Sequence, residues 1–332
     1  MKNKKVLVTG GAGYVGSVLV PKLVNKGYNV RVLDSMIFES NGLSSVKSRC
    51  DIVEGDIRDS DLVRRCLEGI DSVIHLAAIS NDPCSDLNPK LTMQVNLDAT
   101  KMLVETSKDL GVKRFIYASS SSVYGIKEEE KVTENLVLKP LTIYSKTKMW
   151  AEEIVGENND GNFTTVNVRP STVCGYSPRQ RLDVVVNILT SKAILGGEII
   201  VFGDGEQKRP NIHIDDMTNL YVDLLSAPQE KIAGETFNYG GKNHTVNEIA
   251  EIVRGVIKGV KIKKIPENAD PRSYSICSEK IKQALGFSPK KTVRDAVVDL
   301  KYAFEQGLIP NPSDSVYRNI QRMKKLGIGT KS

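Results

Sequence analysis

Val6-Leu7-Val8-Thr9-Gly10-Gly11-Ala12-Gly13-Tyr14-Val15-Gly16 is the stretch that decides the fold. An apolar run ends in a glycine cluster, and an apolar-periodic stretch follows, which predicts a strand, a tight turn and a helix. The spacing satisfies G-x-x-G-x-x-G through Gly10, Gly13 and Gly16, and equally G-x-G-x-x-G starting at Gly11. Glycines let a phosphate approach the backbone, and a helix N-terminus attracts it. The alternative is a glycine-rich turn that only packs a helix on a sheet.

Length and composition exclude several classes of protein. The 332 residues are 40% hydrophobic and 26% charged with a net charge of +6, which predicts one or two globular domains. Basic residues form no stripe, and no apolar run reaches membrane-spanning length, so we expect neither nucleic acid nor membrane as a partner. The five dispersed cysteines and three histidines predict no metal site. Without a secretory signal, we expect reduced thiols and a cytoplasmic location.

The first half alternates strands with helices. Strands are predicted at Val30–Leu33, Asp51–Glu54, Ser72–Leu76, Arg114–Tyr117 and Phe163–Val168, and helices at Leu62–Glu68, Val95–Leu110 and Ile143–Glu157. This alternation predicts an α/β fold with a doubly wound parallel sheet of the Rossmann type. We place an NAD-binding domain at residues 1–170.

Residues 171–332 are predicted to form mainly a smaller α/β substrate-binding domain, and we leave open that some of its elements return to the sheet domain. The predicted elements are a helix at Val184–Leu195, strands at Ile199–Phe202 and Phe237–Tyr239, and a helix ending at Ser226 that Asp215 or Asp216 caps. Thr245 with Glu248, and Thr292 with Asp295, predict two further helix starts of the capping-box type.

Asp34 closes the second predicted strand, 18 residues after Gly16. A carboxylate there binds both hydroxyls of an adenosine ribose and repels a 2′-phosphate, so NAD is favoured over NADP. Asp56 and Ile57, after the third strand, are candidates to bind adenine, although a plain turn aspartate is the alternative. Leu76, Ala77 and Ala78 follow His75 and permit close approach of a cofactor. We interpret His75 itself as a packing or hydrogen-bonding residue.

Tyr144 and Lys148 are the second decisive pair. Spaced by four residues on a predicted helix, they share one face, whereas Lys146 faces elsewhere. Free tyrosine is a poor base at neutral pH, but a neighbouring ammonium favours the phenolate and makes a general base. The alternative is a surface tyrosine above a solvated lysine. Ser119 to Ser122 follow the fifth strand, at the edge where open α/β sheets bind ligands.

These motifs resemble the extended short-chain dehydrogenase/reductase family, in its nucleotide-sugar epimerase and dehydratase branch. The resemblance spans nearly the whole chain, and it includes Asn96 and the segment from Gly203 through Arg209 to Asp216. It implies that Ser120 binds the reacting sugar oxygen and that Tyr144 deprotonates a sugar hydroxyl. It further implies that Lys148 holds the nicotinamide ribose and lowers the tyrosine pKa.

The motifs and the resemblance together give the candidate site. The catalytic residues are Ser120, Tyr144 and Lys148. The NAD-binding residues are Gly10, Gly13, Tyr14, Val15, Gly16, Asp34, Asp56, Ile57, Leu76, Ala77, Ala78, Asn96, Tyr144, Lys148 and Pro170. The substrate-binding residues are Ser120, Ser121, Tyr144, Thr172, Arg209 and Arg272, with Arg179 and Arg181 as weaker candidates. No residue is assigned to a metal.

Departures from the family pattern narrow the range of reactions that we expect. Family 4,6-dehydratases carry Asp-Glu where this chain has Ser121 and Ser122, which disfavours dehydration, and the 3,5-epimerase pattern puts Cys at position 122. Thr172 stands where a substrate-contacting Asn is usual, and Cys174 where a Tyr is usual, which leaves the sugar open. Cys174 is interpreted as a buried structural thiol, with a reactive thiol as the alternative.

We therefore expect an NAD-dependent epimerase acting at C4 of a nucleotide-diphosphate sugar. Alternatives within the family are a reductase, a dehydratase or a decarboxylase of a nucleotide sugar. An alternative of another class is a non-catalytic NAD-binding sensor or scaffold. The family resemblance also implies a homodimer, formed through the helices at Val95–Leu110 and Ile143–Glu157.

Overall fold

The computed structural model describes residues 4–39, 41–127, 129–266, 273 and 275–329. Its strands are β1 (Lys5–Thr9), β2 (Asn29–Asp34), β3 (Asp51–Glu54), β4 (Ser72–His75), β5 (Arg114–Ala118), β6 (Thr164–Pro170), β7 (Thr172–Cys174), β8 (Glu198–Phe202), β9 (Lys208–His213), β10 (Glu235–Tyr239), β11 (Asn243–Thr245) and β12 (Lys261–Ile265). Its helices are α1 (Gly16–Asn25), α2 (Ser60–Leu67), α3 (Asp82–Ser85), α4 (Pro89–Met93), α5 (Ala99–Asp109), α6 (Ile143–Glu157), α7 (Val185–Gly196), α8 (Ile214–Leu224), α9 (Gln229–Ile232), α10 (Val246–Val256), α11 (Glu279–Leu285), α12 (Val293–Glu305) and α13 (Asn319–Lys325).

Seven strands form the main sheet in the order β10-β6-β5-β4-β1-β2-β3, and each neighbouring pair is parallel. Side chains alternate along β1, so that Val6 and Val8 enter one core and Leu7 enters the other. The first core includes residues of α1 and α8, and the second includes residues of α2, α5 and α6. Helices therefore cover both faces, and the predicted doubly wound Rossmann-type sheet is confirmed.

A second lobe consists of α7, α10 and α12 packed with the parallel pair β8–β12 around a separate apolar core. A three-stranded sheet, β11-β9-β7, lies beside it. Not every late element belongs to this lobe, because β10 pairs with β6 and α8 packs on α1. The division of the chain near residue 170 stays a prediction.

Two local predictions are confirmed, one is wrong, and one predicted helix differs at its start. Thr245 and Thr292 each accept from the backbone three residues on, in reciprocal capping boxes. The cap of α8, however, is His213, whose Nδ1 accepts from the Asp215 N–H at 3.1 Å, so neither Asp215 nor Asp216 caps it. The predicted helix Val95–Leu110 is also interrupted, because Gln94–Asp98 forms a π-helical turn before α5. Such turns recur at functional sites.

None of the described helices combines the length and the apolar character that crossing a bilayer requires.

Candidate active site

Two glycines between β1 and the start of α1 have no room for a Cβ atom. A Cβ on Gly10, whose φ is +71°, would lie 2.7 Å from the Ala77 nitrogen. A Cβ on Gly16 would lie 2.5 Å from the carbonyl oxygens of Gly10 and Gly11. No side chain caps the N-terminus of α1, although the Ser17 N–H donates to the Gly13 carbonyl at 2.9 Å and the Val18 N–H donates to the Val15 carbonyl at 3.2 Å. Such a cradle fits the diphosphate of a dinucleotide.

Asp34 lies at the carboxyl end of β2, next to this loop. Its carboxylate accepts from the backbone N–H groups of Ala12 and Met36, each at 2.9 Å. Burial raises the pKa of Asp34, against the opposing effect of these two hydrogen bonds. The aspartate therefore ties the glycine loop to the end of β2, where an adenosine ribose is expected.

Buried polar side chains hold the end of β4 and the loop that follows it. Asn96, which is buried, accepts from the Ile79 N–H at 2.8 Å and donates to the Ile79 carbonyl at 3.0 Å. His75 bonds the hydroxyls of Thr9 and Thr100 through its two ring nitrogens. Burial, aided by the charge of Lys148, lowers the pKa of His75 to about 3. The interpretation of His75 as a hydrogen-bonding residue is confirmed, and Asn96 positions the loop that contains Leu76, Ala77 and Ala78.

The loops after β1, β2 and β4 form one surface, which we call the cofactor edge (residues 10–16, 34–39 and 76–80). These strands are neighbours in the sheet in the order β4-β1-β2, so their carboxyl ends meet. Asp56 lies further out, after β3, and Arg58 Nη2 pairs with its carboxylate at 2.6 Å. This hydrogen-bonded partner holds the pKa of Asp56 below its usual range. Ile57 is buried in the apolar core.

Tyr144 and Lys148 lie on the first turns of α6, which begins with a capping box between Thr142 and Ser145. Lys148 is 3% exposed, and its Nζ donates to the Ala118 carbonyl at 2.7 Å. The same Nζ lies 4.8 Å from the ring centre of Tyr117. Burial lowers the pKa of Lys148 to about 7, against the opposing charge of Glu152. An amine with its pKa near neutral pH is suited to influence the ionisation of a neighbouring hydroxyl.

Ser120 follows β5, two residues after the carbonyl that Lys148 bonds. It caps the short 3₁₀ helix Ser121–Tyr124, and its Oγ accepts from the Ser122 N–H at 3.2 Å and from the Ser122 hydroxyl at 2.9 Å. Ser121 is buried, and the 3₁₀ helix packs against α6. The end of β5 and the start of α6 therefore bring the serine run and the Tyr144/Lys148 helix to one place.

A buried ion pair that joins α6 to β6 was not predicted from the sequence. Arg169 binds Glu152 through Nε and Nη2, the latter at 2.6 Å, with side-chain exposures of 7% and 5%. Arg169 Nη1 also donates to the Tyr124 hydroxyl, which donates to Asn238. Glu152 lies one helical turn after Lys148, and this spacing is the signal that was available.

Two of the predicted substrate residues, Thr172 and Arg209, lie on the small sheet. Thr172 pairs with Asn211 between β7 and β9, and Arg209 lies two residues before Asn211. Thr172 and Arg209 therefore project from one face. Pro170 ends β6, opposite Tyr239. Arg272 lies outside the described residues.

Two further residues are buried away from solvent. The Tyr14 hydroxyl donates to the Gly175 carbonyl at 2.7 Å, and burial raises its pKa well above the ordinary value. Its side chain therefore links the glycine loop to the segment after β7. Cys174 is 1% exposed, and burial raises the pKa of its thiol to about 12, as expected of a structural thiol.

Comparison with known proteins agrees with this architecture. The sequence model of the NAD dependent epimerase/dehydratase family matches residues 6–240. The UDP-glucose 4-epimerase of Lactobacillus helveticus is 30% identical over 316 residues, which are 89% of this chain and 94% of that protein.

Two solved structures are also similar. The UDP-glucuronic acid 4-epimerase of Bacillus cereus, in complex with UDP-glucuronic acid and NAD, is 30% identical with a TM-score of 0.80 and covers 91% of this chain and 99% of its own. The dTDP-glucose 4,6-dehydratase of Streptomyces venezuelae, with NAD bound, is 27% identical with a TM-score of 0.81 and covers 91% and 98%.

The fold and the glycine cradle define a dinucleotide-binding α/β enzyme. The chain belongs to the NAD-dependent epimerase/dehydratase family, within the extended short-chain dehydrogenases/reductases. Its cofactor is NAD.

Proposed function

We propose that this chain is an NAD-dependent nucleotide-sugar epimerase that inverts C4 of an NDP-hexose through a keto-sugar intermediate. The observation that carries the proposal is the buried Lys148 at the end of β5, one helical turn from Tyr144 and beside the serine run. This arrangement supports proton transfer at a sugar hydroxyl. The sugar undergoes no net oxidation if the electrons return to the carbon that they left.

In the proposed reaction, Ser120 donates a hydrogen bond to the reacting sugar oxygen and Tyr144 removes its proton. Bound NAD supplies a reversible acceptor for the hydride that leaves the same carbon. The ammonium form of Lys148 stabilises the phenolate of Tyr144, because an opposite charge nearby favours the ionised form. The keto sugar would then turn over in the site so that its other face takes the hydride back, and Tyr144 would return the proton to the same oxygen. The protein and the cofactor would then end each cycle unchanged.

The serine run favours epimerisation over dehydration. A dehydratase must also move a proton and water between neighbouring carbons, and hydroxyls such as those of Ser121 and Ser122 do not ionise near neutral pH. Relatives named as 4-epimerases support the proposal. A dehydratase is also among the similar structures, so the reaction has to be decided by experiment.

Substrate binding is proposed for Arg209 and Thr172, on one face of the small sheet. A guanidinium suits the diphosphate of a nucleotide sugar because it donates two parallel hydrogen bonds. We also propose a homodimer through α5 and α6 in the cytoplasm. Sedimentation of the purified protein tests the dimer.

The activity is tested with a panel of uridine-, thymidine-, guanosine- and cytidine-diphosphate hexoses, followed by proton NMR. We expect one substrate to give its C4 epimer at equilibrium, with no net change in NAD absorbance. A new methyl signal at C6 would instead show dehydration, and stoichiometric NADH would show net oxidation. Either result, or no turnover of any sugar, contradicts the proposal.

A further inference from the structure

The C-terminal helix α13 bridges two loops of the cofactor edge. Asn319, at its start, donates from Nδ2 to the Ser80 hydroxyl at 3.0 Å. Arg322, one turn later, donates from Nε to the Ile37 carbonyl at 2.8 Å and lies 3.4 Å from the Glu39 carboxylate. Ser80 follows β4, whereas Ile37 and Glu39 follow β2. Because β1 lies between these strands, α13 spans the carboxyl end of β1, where the glycine cradle opens.

Arg179 lies beneath this bridge and is 5% exposed. Its backbone N–H donates to the Ser17 hydroxyl at 3.2 Å, next to the start of α1. Its Nη2 donates to Asn319 Oδ1 at 2.6 Å, and its guanidinium carbon lies 3.7 Å from the ring centre of Phe38. The side chain therefore contacts α13 and the loop after β2, while its backbone contacts α1.

The charge of Arg179 is only partly balanced. Within the described part of the chain, no carboxylate lies within ion-pair distance of it and its Nε has no hydrogen-bond partner. Asp183, whose charge acts on Arg179, is paired with Arg181 at 2.8 Å and accepts from the Asn319 N–H. A guanidinium remains protonated even when buried. A buried, incompletely paired cation beside a phosphate cradle is suited to an anionic ligand.

We propose that Arg179 is a cofactor-positioning residue and that α13, tethered through Asn319 and Arg322, closes the NAD cleft and sets the rate at which NAD is released. The proposal rests on NAD as the cofactor and not on which sugar reaction follows. Its failure would leave the products of the sugar panel unaffected.

The bridge has a simple kinetic consequence. If NAD binds along the cofactor edge under α13, it would leave only after α13 separates from at least one of the two loops that it contacts. That separation breaks the hydrogen bonds of Asn319 or Arg322. An enzyme that restores its cofactor in every turnover has no need for rapid exchange, so slow release is compatible with the proposed reaction.

The test compares Asn319→Ala and Arg322→Ala with Lys324→Ala, a matched change at an exposed residue of the same helix. Protein loaded with isotope-labelled NAD is mixed with excess unlabelled NAD, and the retained label is followed by mass spectrometry. We expect the wild type and Lys324→Ala to release NAD at the same rate, and Asn319→Ala to release it at least about tenfold faster. Equal rates in all four proteins would overturn the proposal.

A second comparison separates positioning from simple structural support. Arg179→Gln and Arg179→Lys are measured for NAD affinity by calorimetry and for thermal unfolding without NAD. We expect Arg179→Gln to bind NAD at least about tenfold more weakly. We expect Arg179→Lys to recover part of this loss because it retains the charge. If the Arg179→Gln variant unfolds at a lower temperature but binds NAD normally, the residue is structural and the proposal is wrong.

Discussion

The cofactor edge and the small sheet beside the second lobe, where we propose that NAD and the sugar nucleotide bind, are built by different means. At the cofactor edge the backbone shapes the site, because Gly10 and Gly16 admit no Cβ and Asp34 and Asn96 bond main-chain groups. On the small sheet, Arg209 and Thr172 offer side chains from neighbouring strands. A site that the backbone shapes stays the same while the fold is kept, whereas side chains on a strand can be replaced without a change of fold.

This difference is consistent with two similar solved structures that both hold NAD but are named as a 4-epimerase and a 4,6-dehydratase. We propose that the chemistry takes place between the two regions, at the end of β5 and the start of α6. Changes at the cofactor edge are expected to affect NAD binding and stability together. Changes at Tyr144 are expected to affect turnover alone.

The largest effect is expected for Tyr144→Phe, which removes the proposed general base and little else. We expect kcat to fall about 10³-fold with NAD content unchanged, as is typical for loss of general acid–base catalysis. Lys146→Ala, an exposed residue of the same helix, is the matched control and is expected to retain activity. Unchanged turnover in Tyr144→Phe would end the catalytic assignment.

The buried ion pair beneath α6 is expected to give the next largest effect. Glu152→Gln leaves the buried Arg169 without its charged partner, which typically costs about 3 kcal/mol or more in the free energy of unfolding. Glu251→Gln breaks the exposed pair with Arg254 and is expected to cost less than about 1 kcal/mol. Chemical denaturation measures both, and equal losses would show that burial does not decide the contribution.

Gly16→Ala tests the backbone cradle itself. A methyl group there collides with two carbonyl oxygens, so we expect a loss of about 1–3 kcal/mol in stability together with reduced NAD content. Gly156→Ala in α6 meets no atom within 4 Å and is expected to be neutral or slightly stabilising. Normal NAD content in Gly16→Ala would mean that the loop is not the cradle we describe.

The last prediction concerns pH, and its effect per pH unit is the smallest. The pKa of Lys148 is lowered to about 7 by burial, so above that pH the unfolded chain holds a proton that the folded protein has lost. The contribution of Lys148 to the free energy of unfolding therefore rises with pH between about 7 and 10. We expect the stability advantage of NAD-free Lys148→Met over the wild type to shrink by about 1 kcal/mol for each pH unit across this window. Lys146→Met controls for the lost charge, and a difference independent of pH would contradict the lowered pKa.

Local signals predicted much of this molecule. The strand bounds of β3 and the helix bounds of α6 were predicted as they stand, because apolar runs and nearby caps define both. The small sheet was not predicted, since β7 and β11 have only 3 residues each and both pair with β9, which is distant from them in sequence. The His213 cap was missed because histidine is an unusual cap residue. The bridge by α13 joins residues more than 200 positions apart, and no local pattern encodes such a contact.

The central claim is that hydride leaves and returns to the same sugar carbon. The most direct test supplies the active NDP-hexose with deuterium on C4 and locates the label in the product by NMR. We predict that the deuterium remains on C4 of the inverted sugar. Deuterium found on C6, or transferred to released NADH, would contradict the account.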